Sequence, residues 1–229
     1  MPFTNEQFLE VFAAYNRAVF PMQLVLVSAA LVAIFLSIRP NKISGKAVTT
    51  ILAFFWLWMG VVYHLLFFSS INRGAIFFGL FFILQSLILF YTGVLKDKLS
   101  FGFHYGWKGM VGALLILFAL VIYPLLGLLF GHIYPQSPTF GLPCPTTIFT
   151  FGLLLWSDKK VPWYVLPIPL FWSLIGFSAA FTLGILEDIG LPIAGIIGVG
   201  IMISTNRKAA TSPNGFQKVL RTKGKSGKL

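Results

Sequence analysis

Charge is scarce in this 229-residue chain: 10% of residues are charged, against 57% hydrophobic and a mean hydropathy of +0.87. Soluble chains carry roughly a quarter charged residues, so a globule of this size would have an unsolvated surface, and a soluble fold is excluded. Acid is scarcest, with 6 Asp and Glu against 17 Lys and Arg. A single cysteine rules out an intramolecular disulfide and any Cys-only zinc or iron–sulfur site. The sequence has no G-x-x-x-x-G-K-[ST], no H-E-x-x-H and no G-x-S-x-G. It also lacks paired His for haem and the repeated intramembrane charges of an ion pump. No catalytic residue is assigned on this basis. An enzyme acting on a lipid diphosphate would need acidic pairs, and the one adjacent pair, Glu187–Asp188, is expected beyond the membrane edge.

Long apolar runs are abundant. A span needs about 20 mostly apolar residues at about 1.5 Å per residue. Met22–Ile38, Ala47–Phe68, Ala75–Leu95, Gly109–Phe130 and Val161–Phe181 qualify or nearly so, and Ile189–Ser204 is shorter but continuous. Thr146–Trp156 reaches only about 16 Å, and about 24 Å if it starts at Gly141 with Pro143 and Pro145 in its first turn. A re-entrant half-helix is the alternative there. Basic residues decide between them, because cytoplasmic loops retain Lys and Arg. Seven crossings with the N-terminus outside put all but Arg17 and Arg73 of the 17 basic residues inside. The same topology puts Glu6, Glu10, Glu187 and Asp188 outside.

The expected fold is therefore all-α, a polytopic membrane helix bundle of seven transmembrane helices, N-out and C-in. A single integral domain covers 1–204, with spans near 22–38, 47–68, 75–95, 109–130, 141–156, 161–181 and 189–204. No cleavable signal peptide is expected. Residues 1–20 read as an amphipathic interfacial helix. Thr4 and Gln7 form a capping box, and Phe8, Val11, Phe12, Tyr15 and Val19 share one face. Residues 205–229 read as a disordered basic cytoplasmic tail whose partner is anionic lipid headgroups, with no nucleic acid. Small-residue stripes such as Gly176–Ala180–Gly184, Gly127–Gly131 and Ala194–Gly198 predict tight packing of the fourth, sixth and seventh spans.

Polar side chains inside lipid are costly and become functional candidates by default. His64 follows Tyr63 near the outer end of the second span, and Gln85 sits mid-way along the third, where a buried amide also serves as interhelical glue. The Pro- and Gly-rich stretch 131–147 is too apolar for a solvated loop and too broken for a helix. It contributes His132, Tyr134, Cys144, Thr146 and Thr147. The topology adds Glu187 and Asp188 to the same outer layer. Imidazole, thiolate and carboxylate together suit a soft metal ion, with His64, His132 and Cys144 as candidate ligands. Separately satisfied polar groups are the alternative.

Several stretches resemble a bacterial family of multi-pass membrane proteins catalogued as a domain of unknown function. They are residues 2–16 (PFTNEQFLEVFAAYN), 56–68 (WLWMGVVYHLLFF), 123–127 (YPLLG) and 131–150 (GHIYPQSPTFGLPCPTTIFT). The resemblance reaches to about residue 200 and implies a bacterial inner (cytoplasmic) membrane protein; it implies no activity. Two functions follow as expectations. In one, an outer-facing pocket binds or transports a small solute or soft metal ion. In the other, the chain is a non-catalytic membrane scaffold or accessory subunit that docks partners through the Pro-rich segment and the N-terminal helix.

Overall fold

The computed structural model describes residues 3–211. Among these the chain is helical, with two isolated β-bridges, Phe101↔Ser157 and Phe140↔Leu142. Helix α1 (Asn5–Val19) opens with the expected capping box: Gln7 N–H donates to Thr4 Oγ1, and Thr4 N–H to Gln7 Oε1. It meets α2 (Met22–Ile38) at 83° across Pro21, whose ring leaves no N–H to continue the ladder.

Four long rods follow, three of which loosen to the wider π pitch along their length. They are Ser44–Ser70 (α3 and its extension), Ala75–Leu95 (α4), Trp107–Leu129 (α5 leading into α6) and, after α7 (Pro143–Leu155), Trp163–Thr182 (α8 and α9). A 3₁₀ turn, Leu186–Ile189, leads into α10 (Gly190–Thr211). Five helices are long and apolar enough to cross a membrane, and six if α1 and α2 count as one bent span. The last helix continues past Thr205, so the boundary expected there is too early; the rest of the basic tail lies outside the described residues.

Large apolar side chains stay exposed around the rods, among them Phe35, Leu66, Phe77, Leu87, Leu125 and Ile196. Such continuous apolar exposure is what lipid, not water, tolerates. The second rod faces outward through Phe77, Phe81 and Phe90 while Phe82 turns inward.

Loops gather at two ends. At one, Phe103 N–H donates to Ser37 O, Gly102 N–H to Trp156 O, Lys108 Nζ to Ser157 O, and Lys159 Nζ to Asp97. At the other, α1 lies with the 68–74, 131–142 and 183–187 segments. Helix α7 starts beside the second cluster and finishes in the first. It is a single helix of 13 residues, shorter than the five that are long and apolar enough to cross a membrane.

That short helix is the axis of the packing. Every residue from Pro143 to Leu155 is buried except Cys144, which is partly exposed. The small-residue expectation holds between the sixth and seventh spans, where a Cβ on Gly176 would meet Leu191 Cδ2 at 2.7 Å, and needs correction for the fourth. The tight crossing is α5 on α7, where a Cβ on Gly152 would meet Gly112 O at 2.9 Å and Ile116 Cγ1 at 2.7 Å. Gly60 and Gly79 bring α3 and α4 equally close, and Gly195 packs on Ser173 between α10 and α8. Gly131 and Gly184 have positive φ and open space beside them, so they serve turns and not contacts.

Helix α1 packs against the second loop cluster. Its apolar face is covered by protein: Phe8 packs on Phe68, Phe12 on Tyr63, and Tyr15 on both Tyr63 and Phe67. It lies as a lid on the bundle end.

Candidate functional site

Two anchors position the site. The first is Asn16, fully buried on the inward face of α1. Its Nδ2 donates to Pro135 O (2.7 Å) and Ser137 O (2.8 Å), and its Oδ1 accepts from Thr139 Oγ1 (2.7 Å). Its own carbonyl, left over at the helix end, accepts from Gln23 Nε2 (2.8 Å) and Tyr134 OH (3.2 Å). The irregular 131–142 backbone thus finds partners in α1. The second anchor is the turn Leu186–Ile189, which delivers Glu187 and Asp188 to the N-terminus of α10, the favourable end of a helix dipole for a carboxylate.

Both carboxylates are buried, at 1% and 3% exposure. Glu187 Oε1 lies 2.9 Å from His132 Nδ1, while its Oε2 has no hydrogen bond. Tyr123 OH donates to Asp188 Oδ1 at 2.5 Å. Cys144 is within interaction reach of Asp188 and of the Trp172 indole, whose Nε1–H has no oxygen or nitrogen acceptor.

Asp188, Tyr123, Cys144 and Trp172 border a cavity of about 210 Å³. Its remaining walls are mostly apolar: Phe3, Phe8 and Phe12 from the N-terminal lid, Phe68 and Phe78 from the first and second rods, and Pro143 and Pro145 from the start of α7. Tyr63 completes the wall beneath α1.

Of the residues expected at an outer pocket, Tyr63, Cys144 and Asp188 line the cavity, and Glu187 and His132 pair directly behind it. Thr146 does not cap its own helix; its Oγ1 accepts Gly141 N–H, while Thr147 Oγ1 is buried without a partner. Tyr134 is half-exposed and docks on α1. Gln85 donates to Val165 O, joining the second rod to the turn before α8, away from the cavity.

His64 is the clearest departure. It is fully buried, neither ring nitrogen has a partner, and it sits among Phe82 (4.6 Å between ring centroids), Trp172 (5.1 Å) and Tyr63 (5.2 Å). Among the described residues no three His, Cys, Asp or Glu side chains are placed to hold a metal ion. The expected ligands His64, His132 and Cys144 are thus separated. A shared depth in the membrane does not fix position around the bundle.

Asn16 and Trp172 were not anticipated as site residues. A signal for Asn16 was available: a polar residue one turn after Phe12, on the apolar face of an amphipathic helix, needs an internal partner.

The sequence model of the family described as Family of unknown function (DUF6064) matches residues 5–212. The chain belongs to this family. The match takes in both anchors and every wall of the cavity except Phe3. No curated protein and no solved structure matches.

Proposed function

We propose that this DUF6064 member is a seven-span protein of the bacterial inner membrane, N-out and C-in, whose outer-facing cavity binds a small solute for uptake or transfer. The observation that carries this reading is the cavity itself: an apolar chamber with one buried carboxylate, Asp188, on its wall and a helix laid over its mouth. Binding sites of membrane carriers recur at helix breaks beside irregular backbone, and the 131–142 segment and the Leu186–Ile189 turn are such breaks. The orientation is supported by charge. Lys96, Lys98, Lys108, Lys159 and Lys160 collect at the end opposite the cavity. The bacterial membrane is supported by the family resemblance, and the basic tail is assigned to anionic headgroups of the inner leaflet.

A soft metal ion is not part of this reading, because His64, His132 and Cys144 do not converge. The scaffold reading would leave α1 and the Pro-rich segment free for a partner. Their mutual engagement through Asn16 favours the cavity.

The only cysteine is a built-in reporter, since Cys144 lines the cavity. A small membrane-impermeant methanethiosulfonate added to intact spheroplasts is expected to modify Cys144. Modification solely in inverted vesicles would overturn the orientation, and resistance from both sides would overturn an accessible cavity.

A further inference from the structure

The charge balance around the cavity bears on what occupies it. Glu187 and Asp188 enter the bundle with one ionisable counter-group, His132, which faces Glu187. Among the described residues no Lys or Arg pairs with either carboxylate. Glu187 Oε2 is buried and unpartnered, and Asp188 meets the cavity with Tyr123 as its hydrogen-bond donor. Anionic charge held in a low dielectric needs compensation, and the dipole of α10 offsets only part of it. With Asp188 ionised, the arrangement is short of one positive charge on the cavity side.

The walls select the kind of cation. A hard metal ion needs six or more oxygen ligands, and around Asp188 the walls are mainly ring faces and prolines. Aromatic faces attract an organic ammonium and tolerate its apolar substituents. Phe12, Tyr63, Phe68, Phe78 and Trp172 supply aromatic rings to the walls of the same chamber. Size agrees: a cavity of about 150 Å³ holds a benzene ring, and this one is about 210 Å³.

We propose that the cavity is a site for a small amine with an apolar body. Its ammonium sits at Asp188 beside Tyr123 and Trp172, and its body packs against the phenyl rings of α1 and Phe68. The proposal rests on the reading of this cavity as a solute site and adds the chemical class.

The test uses the full-length protein in phosphatidylcholine nanodiscs and calorimetric titration with three probes of one shape: 2-phenylethylamine, 2-phenylethanol and phenylacetate. The amine is expected to bind about tenfold tighter than the alcohol, with phenylacetate weakest. Asp188→Asn is expected to bring the amine down to the affinity of the alcohol. Protection of Cys144 from methanethiosulfonate gives a second readout in the wild-type protein, should that variant fold poorly; the amine is expected to protect at a lower concentration than the alcohol. Equal binding of alcohol and amine, or a preference for phenylacetate, overturns the amine class and leaves the solute site standing. Binding of none of the three overturns both.

Discussion

His132 Nδ1 lies 2.9 Å from Glu187 Oε1, joining the loop after the third rod to the entry of α10 in a buried pair. Neither element has a regular ladder at that point, so the pair fixes where the loop sits relative to the carboxylates. Gly127 is drawn into the contact, since a Cβ there would meet Glu187 Oε1 at 3.2 Å.

Breaking a buried pair from one side costs about 3–5 kcal/mol, because the remaining charge is stranded. His132→Ala is therefore expected to destabilise strongly, and Glu187→Gln in that background to restore part of the loss. Thermal unfolding of the two single variants and the double variant in one detergent checks this. Additive losses would show that the two residues act independently.

His64 makes the opposite prediction. A buried imidazole with both nitrogens unpartnered pays desolvation without return. His64→Phe keeps the ring contacts to Phe82 and Trp172 and removes the unmet polar atoms. We expect unchanged or raised thermal stability and unchanged affinity for a cavity probe. A large loss of either would mean that His64 has a role its surroundings do not reveal.

Asn16→Ala removes the donors to Pro135 and Ser137 and the acceptor for Thr139. Each buried group left without a partner costs about 1–3 kcal/mol, which should lower the unfolding temperature by about 5–10 °C. Asn16→Asp is expected to be no better, since a carboxylate oxygen would then face two carbonyls. Limited proteolysis within 131–142 should accelerate in both variants. Unchanged cleavage there would separate Asn16 from the ordering of this segment.

Glycine substitutions distinguish contact from turn. Gly152→Ala places a methyl group against Gly112 O and Ile116, so α5 and α7 must part. Gly200→Ala meets nothing within 4 Å. Yield and monodispersity after extraction are expected to fall for the first and hold for the second.

Much of the architecture was legible from local chemistry. The bounds of α2 came directly from an uncharged apolar run, and the capping box at Thr4 and Gln7 from residue spacing. Pro143 and Pro145 stand in the first turn of α7, where a missing N–H costs least. The bundle's helical character follows from scarce charge and long apolar runs, because lipid obliges each segment to satisfy its own backbone.

The site was legible only by layer. Depth along a span is one-dimensional and can be read from the chain, and Tyr63, Cys144, His132, Glu187 and Asp188, which the sequence places in one layer, lie near one another in the structure. Position around the bundle axis depends on how helices rotate and cross, and those angles are set by contacts such as Gly112 on Gly152 and Asn16 on the 131–142 backbone. These are pairings between residues distant in sequence. Only the tertiary structure decided that His64 turns into an aromatic box, that α1 closes the cavity, and that Asp188 faces that cavity while Glu187 turns to His132.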